Sequence, residues 1–337
     1  MTRSERSAQS PKARVVSVSR VYANAGIGQV SPYTGSQSIN PEWKDPSHYY
    51  VVKKVGRGKY STVFKGLYKR KTEVAIKTLV PLDPRRYLPE IKMLQILDGG
   101  PNIVRLLDLL KDPLTGICSI VFEWVEFTNY REIYPKLGPR DIPFYIRELL
   151  KALDYSHSLG IMHRDVKPQN VAIDIKKRVL RLLDWGLADF YRPRESYSYH
   201  VATRIYKPPE LFLKYPYYDY SIDIWCTGMV MAVMLFRRIP LDGAESDEMQ
   251  LLKLANLMGG QPIVDYADSL GINLSQRDRD SLLARKGTGF RPFVIKSDPS
   301  ICTDLAMDLL RKLLTIDHRQ RPTAKEALAH PYLQNID

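Results

Sequence analysis

A chain of 337 residues with 44% hydrophobic and 26% charged side chains is long enough for two lobes, and its composition excludes fibrous and disulfide-stapled classes. An excess of Lys and Arg (50) over Asp and Glu (37) gives a formal charge of +13, which favours acidic partners such as phosphates, acidic peptides, nucleic acid or anionic lipid, or else a solvated basic surface. Cys118, Cys226 and Cys302 are widely spaced in apolar contexts; they fit neither a disulfide framework nor a zinc site, and a reducing intracellular compartment is expected.

Residues 1–40 are polar, rich in Gly and Ser, and without sustained periodicity, so they are read as a basic tail or an extended arm. Their Ser- and Arg-rich start also fits an organellar presequence, while a secretion signal's apolar core is missing. From Tyr49 the stretches YYVVKKVGRGKYSTVFKGLYK and TEVAIKTLV predict strands joined as hairpins. EIKMLQILD (90–98) has helical spacing, and IVRLLDLLKD and CSIVFEWVE predict two more strands around the turn-like DPLTG. From Ile142 the helical period dominates, and IPFYIRELLKALDYSHSLG ends on Gly160 as a C-cap. After residue 200 the chain is mostly helical. Its longest apolar run, MVMAVMLF (229–236), is too short to cross a bilayer, and no membrane association is expected. The class is therefore α+β, with a β-rich lobe preceding a larger α-rich lobe.

The chemistry concentrates in four stretches. Gly56-Arg57-Gly58-Lys59-Tyr60-Ser61-Thr62-Val63 is a glycine-rich turn between strands, where backbone N–H groups can approach phosphate. An ordinary hairpin turn would look the same, but the strand that follows excludes a dinucleotide-binding turn, which requires a helix there. VAIK sets Lys77 in an apolar strand, where a buried ammonium needs an anionic partner; Glu90 and phosphate oxygens would serve, and a surface lysine at a strand end is the plainer alternative. In IMHRDVKPQN, Asp165 can accept a hydroxyl proton and Lys167 can neutralise a transferred phosphoryl group. Asn170, with Asp184 of LLDWG on what reads as a strand, supplies oxygen ligands suited to Mg²⁺. Together they describe phosphoryl transfer, which depends on positioning and charge neutralisation.

Residues 49–333 resemble a eukaryotic protein kinase, because the glycine turn, VAIK, HRD loop, DWG and KPPE (207–210) occur in that family's order. The resemblance implies a bilobal fold, with an N-lobe over 49–125, a C-lobe over 126–333 and an arm over 1–48. It also implies an ion pair of Glu210 with Arg321, and Asp223 bracing the catalytic loop. GRGKYS, GGPNIV, ALDYSHSLGIMHRDVKPQNV, LRLLDWGLADFY and DHRQRPTAKEALAHPY, with RVYAN and EWKD in the arm, are similar to the casein kinase 2 catalytic (alpha) subunit family. Trp185, where most kinases carry Phe, is the most specific of these matches.

That similarity implies an ATP- and Mg²⁺-dependent Ser/Thr kinase acting on acidic sites without activation-loop phosphorylation. Asp165 and Lys167 would act on the substrate hydroxyl and the γ-phosphoryl group, and Lys77 with Glu90 would grip the α- and β-phosphates. Val55 and the glycine turn through Val63 would cover the phosphates. Ala75, Phe122, Ala172, Leu183 and the Glu123–Val125 backbone would meet the adenine end. Lys59, Arg204 and Lys207 would receive acidic substrate residues. A regulatory beta subunit on the small lobe, polyanion binding, no specific nucleic acid, and residence in nucleus and cytoplasm are implied likewise. The sequence departs from the family pattern at PLDPRRYLPE, where a lysine cluster is reduced to Arg85 and Arg86, and at His200, Pro208 and Ala172. A proline-directed kinase and a non-catalytic scaffold of the same fold are the competing readings.

Overall fold

The computed structural model describes residues 14–31, 33, 40–58, 60–80, 83–126, 129–334 and 336. Strands β1 (Tyr49–Arg57), β2 (Ser61–Tyr68), β3 (Thr72–Leu79), β4 (Leu106–Lys111) and β5 (Cys118–Glu123) form an antiparallel sheet in the order β1-β2-β3-β5-β4. Strand alternation divides β3 between two faces. Val74 and Ile76 pack with Leu110 and Val121, while Leu79 joins Ile91, Leu109 and Ile120 under the helix Leu88–Ile96. Lys77 has the parity of Leu79, so its stem points toward that helix. The helix begins two residues before the expected EIKMLQILD, with Pro89 in its first turn, where a missing N–H leaves no bond unmade.

The larger lobe is helical, as expected. The helix Ser221–Phe236 is buried along its whole length at the centre of the core and contains the apolar run 229–236. No described helix is long and apolar enough to cross a membrane. The helix Asp141–Ser158 packs beside it and ends before Gly160, which takes the left-handed φ of +79°. Two small pairs lie between the lobes' loops: β6 (Ile161–Met162) with β9 (Asp189–Phe190), and β7 (Val171–Asp174) with β8 (Val179–Leu182).

Residues 14–31 resolve the tail-or-arm alternative in favour of an arm laid across the helical lobe. The Ser17 hydroxyl donates to the Tyr217 carbonyl (2.7 Å) and shares a hydrogen bond with the Tyr215 hydroxyl (2.8 Å). The Ser19 amide donates to the Tyr191 hydroxyl (2.8 Å), and the Tyr22 hydroxyl donates to Asp154 (3.0 Å). Gly26 and Gly160 touch backbone to backbone: a Cβ on Gly160 would stand 2.5 Å from the Gly26 nitrogen. Gly160→Ala is therefore expected to destabilise the fold by more than ~1 kcal/mol and to lift the arm. Faster amide exchange in residues 15–27 of the variant would register the lifting. Wild-type exchange there would mean that the contact carries no load.

Candidate active site

The Lys77 ammonium donates to both Glu90 carboxylate oxygens, at 2.7 and 2.8 Å, and lies 3.7 Å from Asp184. This is the partner the buried strand lysine required, and Glu90 itself is only 5% exposed. Burial pulls the lysine toward neutrality, but Glu90 and Asp184 outweigh it and hold its pKa above the ordinary lysine value. Burial likewise opposes ionisation of Asp184, yet Lys77, His163 and Lys167 hold its carboxyl below the usual range. Lys77 and Asp184 thus stay charged at neutral pH. Asp184 is not on a strand as expected: β8 ends at Leu182, and Asp184 follows in the left-handed region (φ 60°). The Leu183 amide donates to the Asn170 carbonyl (2.8 Å), which turns the chain out of the ladder beside the catalytic loop.

That loop is held from beneath. Asp223, wholly buried, accepts hydrogen bonds from the His163 and Arg164 amides (2.8 Å each) and pairs with His157 at 3.0 Å, as the sequence implied. Pro168 starts a short 3-10 turn, Pro168–Asn170, instead of simply breaking a helix. Asn170 is thereby turned inward, and its amide nitrogen donates to the Asp165 carbonyl (2.9 Å). The Lys167 ammonium donates to Asp165 Oδ2 (2.6 Å).

Thr203 is not among the site residues expected from the sequence. Its amide and hydroxyl in fact donate to Asp165 Oδ1 at 3.0 and 2.9 Å, and Lys167 donates to the same hydroxyl at 3.0 Å. Asp165, Lys167 and Thr203 thus share their hydrogen bonds, and Asn170 Nδ2 also reaches Asp165 Oδ2 at 3.3 Å. A threonine immediately before the basic RIYK run was the available signal. The loop resting on Trp185, fully buried with its ring 4.6 Å from His163, completes the floor.

The other expected residues are placed unevenly. β1 and β2 bring Gly56 opposite Val63 and Arg57 opposite Thr62, and the Gly58 amide donates to the Ser61 carbonyl at 2.8 Å. Val55 and Tyr60 are exposed at this end, while Lys59 lies outside the described residues. Ala75 sits opposite Phe122 in the β3–β5 ladder, and Ala172 is buried on β7. The Glu123 carboxylate is committed to the Arg105 amide (3.0 Å) and Arg181 (2.9 Å), so any contact by Glu123–Val125 with a base falls to the backbone. Arg204 and Lys207 come together as expected but are already partnered: both reach Asp247, at 3.0 and 3.2 Å. Arg85 pairs with Asp83, and Arg86 lies over the Tyr60 ring. Glu210 and Arg321 form the implied ion pair at 2.8 Å.

The donor set fits a hard divalent cation: Asp184 offers a half-exposed carboxylate, and Asn170, with its nitrogen turned to Asp165, offers its amide oxygen. Few protein oxygens and open surroundings suit Mg²⁺, which keeps several waters and shares its coordination with phosphates.

Residues 49–333 match the family described as protein kinase domain. A Dictyostelium discoideum protein named "Probable serine/threonine-protein kinase" is 41% identical over 321 residues, which cover 95% of this chain and 53% of that protein. The chain thus spans about half the length of this curated relative.

Proposed function

The chain belongs to the protein kinase family, and from that premise we propose that it transfers the γ-phosphoryl group of ATP to serine and threonine hydroxyls of proteins. The observation that carries this reading is the hydrogen-bonded set of Asp165, Lys167 and Thr203, which holds a carboxylate and an ammonium 2.6 Å apart. A substrate hydroxyl there gives its proton to the Asp165 carboxylate as its oxygen bonds the γ-phosphorus. The bond from that phosphorus to the ADP oxygen breaks, and Lys167 neutralises the equatorial oxygens. Lys77, fixed by Glu90, holds the α- and β-phosphates. Asn170 and Asp184 would hold Mg²⁺, which supplies charge neutralisation between the phosphates. A Cβ on Gly56 would meet nothing among the described residues, which supports close approach by phosphate as the reason for this glycine.

The casein kinase 2-like reading is part of the proposal: acidic sites as substrates, polyanions as competitors, a regulatory beta subunit on the small lobe, and nucleus and cytoplasm as locations. Val51 and Val52, 59% and 54% exposed on β1, leave apolar surface on the small lobe for such a subunit. Activity without an activating kinase is supported by Arg164. Its guanidinium lies 3.4 Å from Asp189, donates to the Leu187 carbonyl (2.7 Å) and faces the Tyr33 ring at 5.8 Å. The Tyr33 hydroxyl in turn donates to the Gly186 carbonyl (2.7 Å). A phosphate on the segment would find this arginine already neutralised. Phosphatase-treated, bacterially expressed protein is expected to phosphorylate an array of Ser-x-x-Glu peptides and to neglect Ser-Pro peptides. Preference for Ser-Pro would establish the proline-directed reading. Inactivity until treatment with an upstream kinase would end the constitutive one.

A further inference from the structure

One carboxylate stands between Arg204 and Lys207, two of the three cations expected to meet the substrate. Thr203 touches Asp165, and the next residue, Arg204, opens the short turn Arg204–Tyr206 that ends before Lys207. Asp247 receives Arg204 Nε on Oδ1 (3.0 Å) and Lys207 Nζ on Oδ2 (3.2 Å), so each oxygen serves one cation. Arg204 also donates to the Glu245 carbonyl at 2.6 Å, and Lys207 is only 7% exposed. The Asp247 side chain remains 48% exposed, facing outward between them. It is the first residue of the helix Asp247–Met258, so its backbone is fixed by the Ser246 cap and the carboxylate stays in place.

We infer that Asp247 is a specificity-determining residue that takes, from within the chain, the place an acidic substrate residue immediately after the target hydroxyl would occupy. The inference rests on the kinase reading above and deepens it. Two cations that already share a carboxylate offer little to a second one, because an incoming Asp would have to displace Asp247 or sit beside a like charge. The wild-type pocket after the hydroxyl is therefore nearly indifferent to acid, although Arg204 and Lys207 without Asp247 would attract it. Asp247→Asn keeps the size and the helix-start position while releasing one negative charge. Asp247→Glu keeps the charge.

The experiment compares two peptides identical except for Asp or Ala directly after the serine, using the full chain. For wild type and Asp247→Glu, kcat/KM for the two peptides is expected to differ by less than about threefold, the range of an exposed charge contact. For Asp247→Asn, the Asp peptide is expected to gain about tenfold over the Ala peptide, carried by KM, as for a new charge-assisted contact, and to lose that gain in high salt. An unchanged ratio in Asp247→Asn, or a ratio that falls because Asp247 organises the two cations for substrate, overturns the inference. The same pair with the serine replaced by alanine, labelled and titrated by anisotropy with a non-hydrolysable ATP analogue, reads the affinity ratio without turnover. Failure of wild type to phosphorylate either serine peptide would count against the kinase reading alone, while the anisotropy ratio would still decide the role of Asp247.

Discussion

Asp165→Asn is expected to lose roughly 10²–10⁴-fold in turnover, the range for removing a positioned general base, while nucleotide binding stays near wild type. The substitution is nearly isosteric, and the carboxamide can still accept from the Thr203 amide, so the loop should keep its course. What it loses is the charge that draws the substrate proton and balances Lys167, 2.6 Å away. On the proposed reading nucleotide affinity rests on other groups: Lys77 with Glu90, and the turn between β1 and β2. Single-turnover phosphorylation of a serine peptide, beside titration with a fluorescent ATP analogue, separates the two effects. Near wild-type turnover in the purified variant would remove Asp165 from the chemistry and bring the scaffold reading forward.

How much of this was legible in the sequence varies with the reach of the interactions. The five strands, the helix over Glu90 and the long helix ending at Gly160 follow from alternation, helical period and a C-cap, all local signals. Lys77 with Glu90 was legible because a charge in an apolar strand demands a partner, and Glu90 opened the next expected helix. Asp184 was placed one element too early, since the ladder ends where Leu183 turns to bond Asn170, a contact invisible in a strand-like run. The arm was one of two readings, but its course was illegible: Ser17 makes its bonds to a tyrosine 198 positions away, and no periodicity encodes that. Asp247 reads locally as nothing more than the acidic start of a helix. Its pairing with Arg204 and Lys207 exists only after the helical lobe has folded.

The largest stability effect is expected at Glu210 and Arg321. Both side chains are entirely buried, and the pair is bidentate, at 2.8 and 3.1 Å. The guanidinium also donates to the carbonyls of Ser221 (2.7 Å), Thr315 (3.0 Å) and Ile316 (3.2 Å), and it faces the Trp225 ring at 5.1 Å. Burial alone would weaken the arginine's hold on its proton, but Glu210 more than compensates and raises its pKa. Removing one partner strands a fully buried charge, so Glu210→Leu and Arg321→Met should each cost about 3–5 kcal/mol. The double variant should lie well below their sum, since no lone charge remains. It should not return to wild type, because the Ser221, Thr315 and Ile316 carbonyls would lose their donor. Denaturant midpoints of the four proteins form the cycle; additivity within ~0.5 kcal/mol would show that the two side chains do not act as a pair. The consequence reaches the chemistry, because Glu210 anchors the end of the segment that carries Thr203, Arg204 and Lys207. With that anchor released, folded single variants should show a raised KM for peptide before any change in nucleotide affinity.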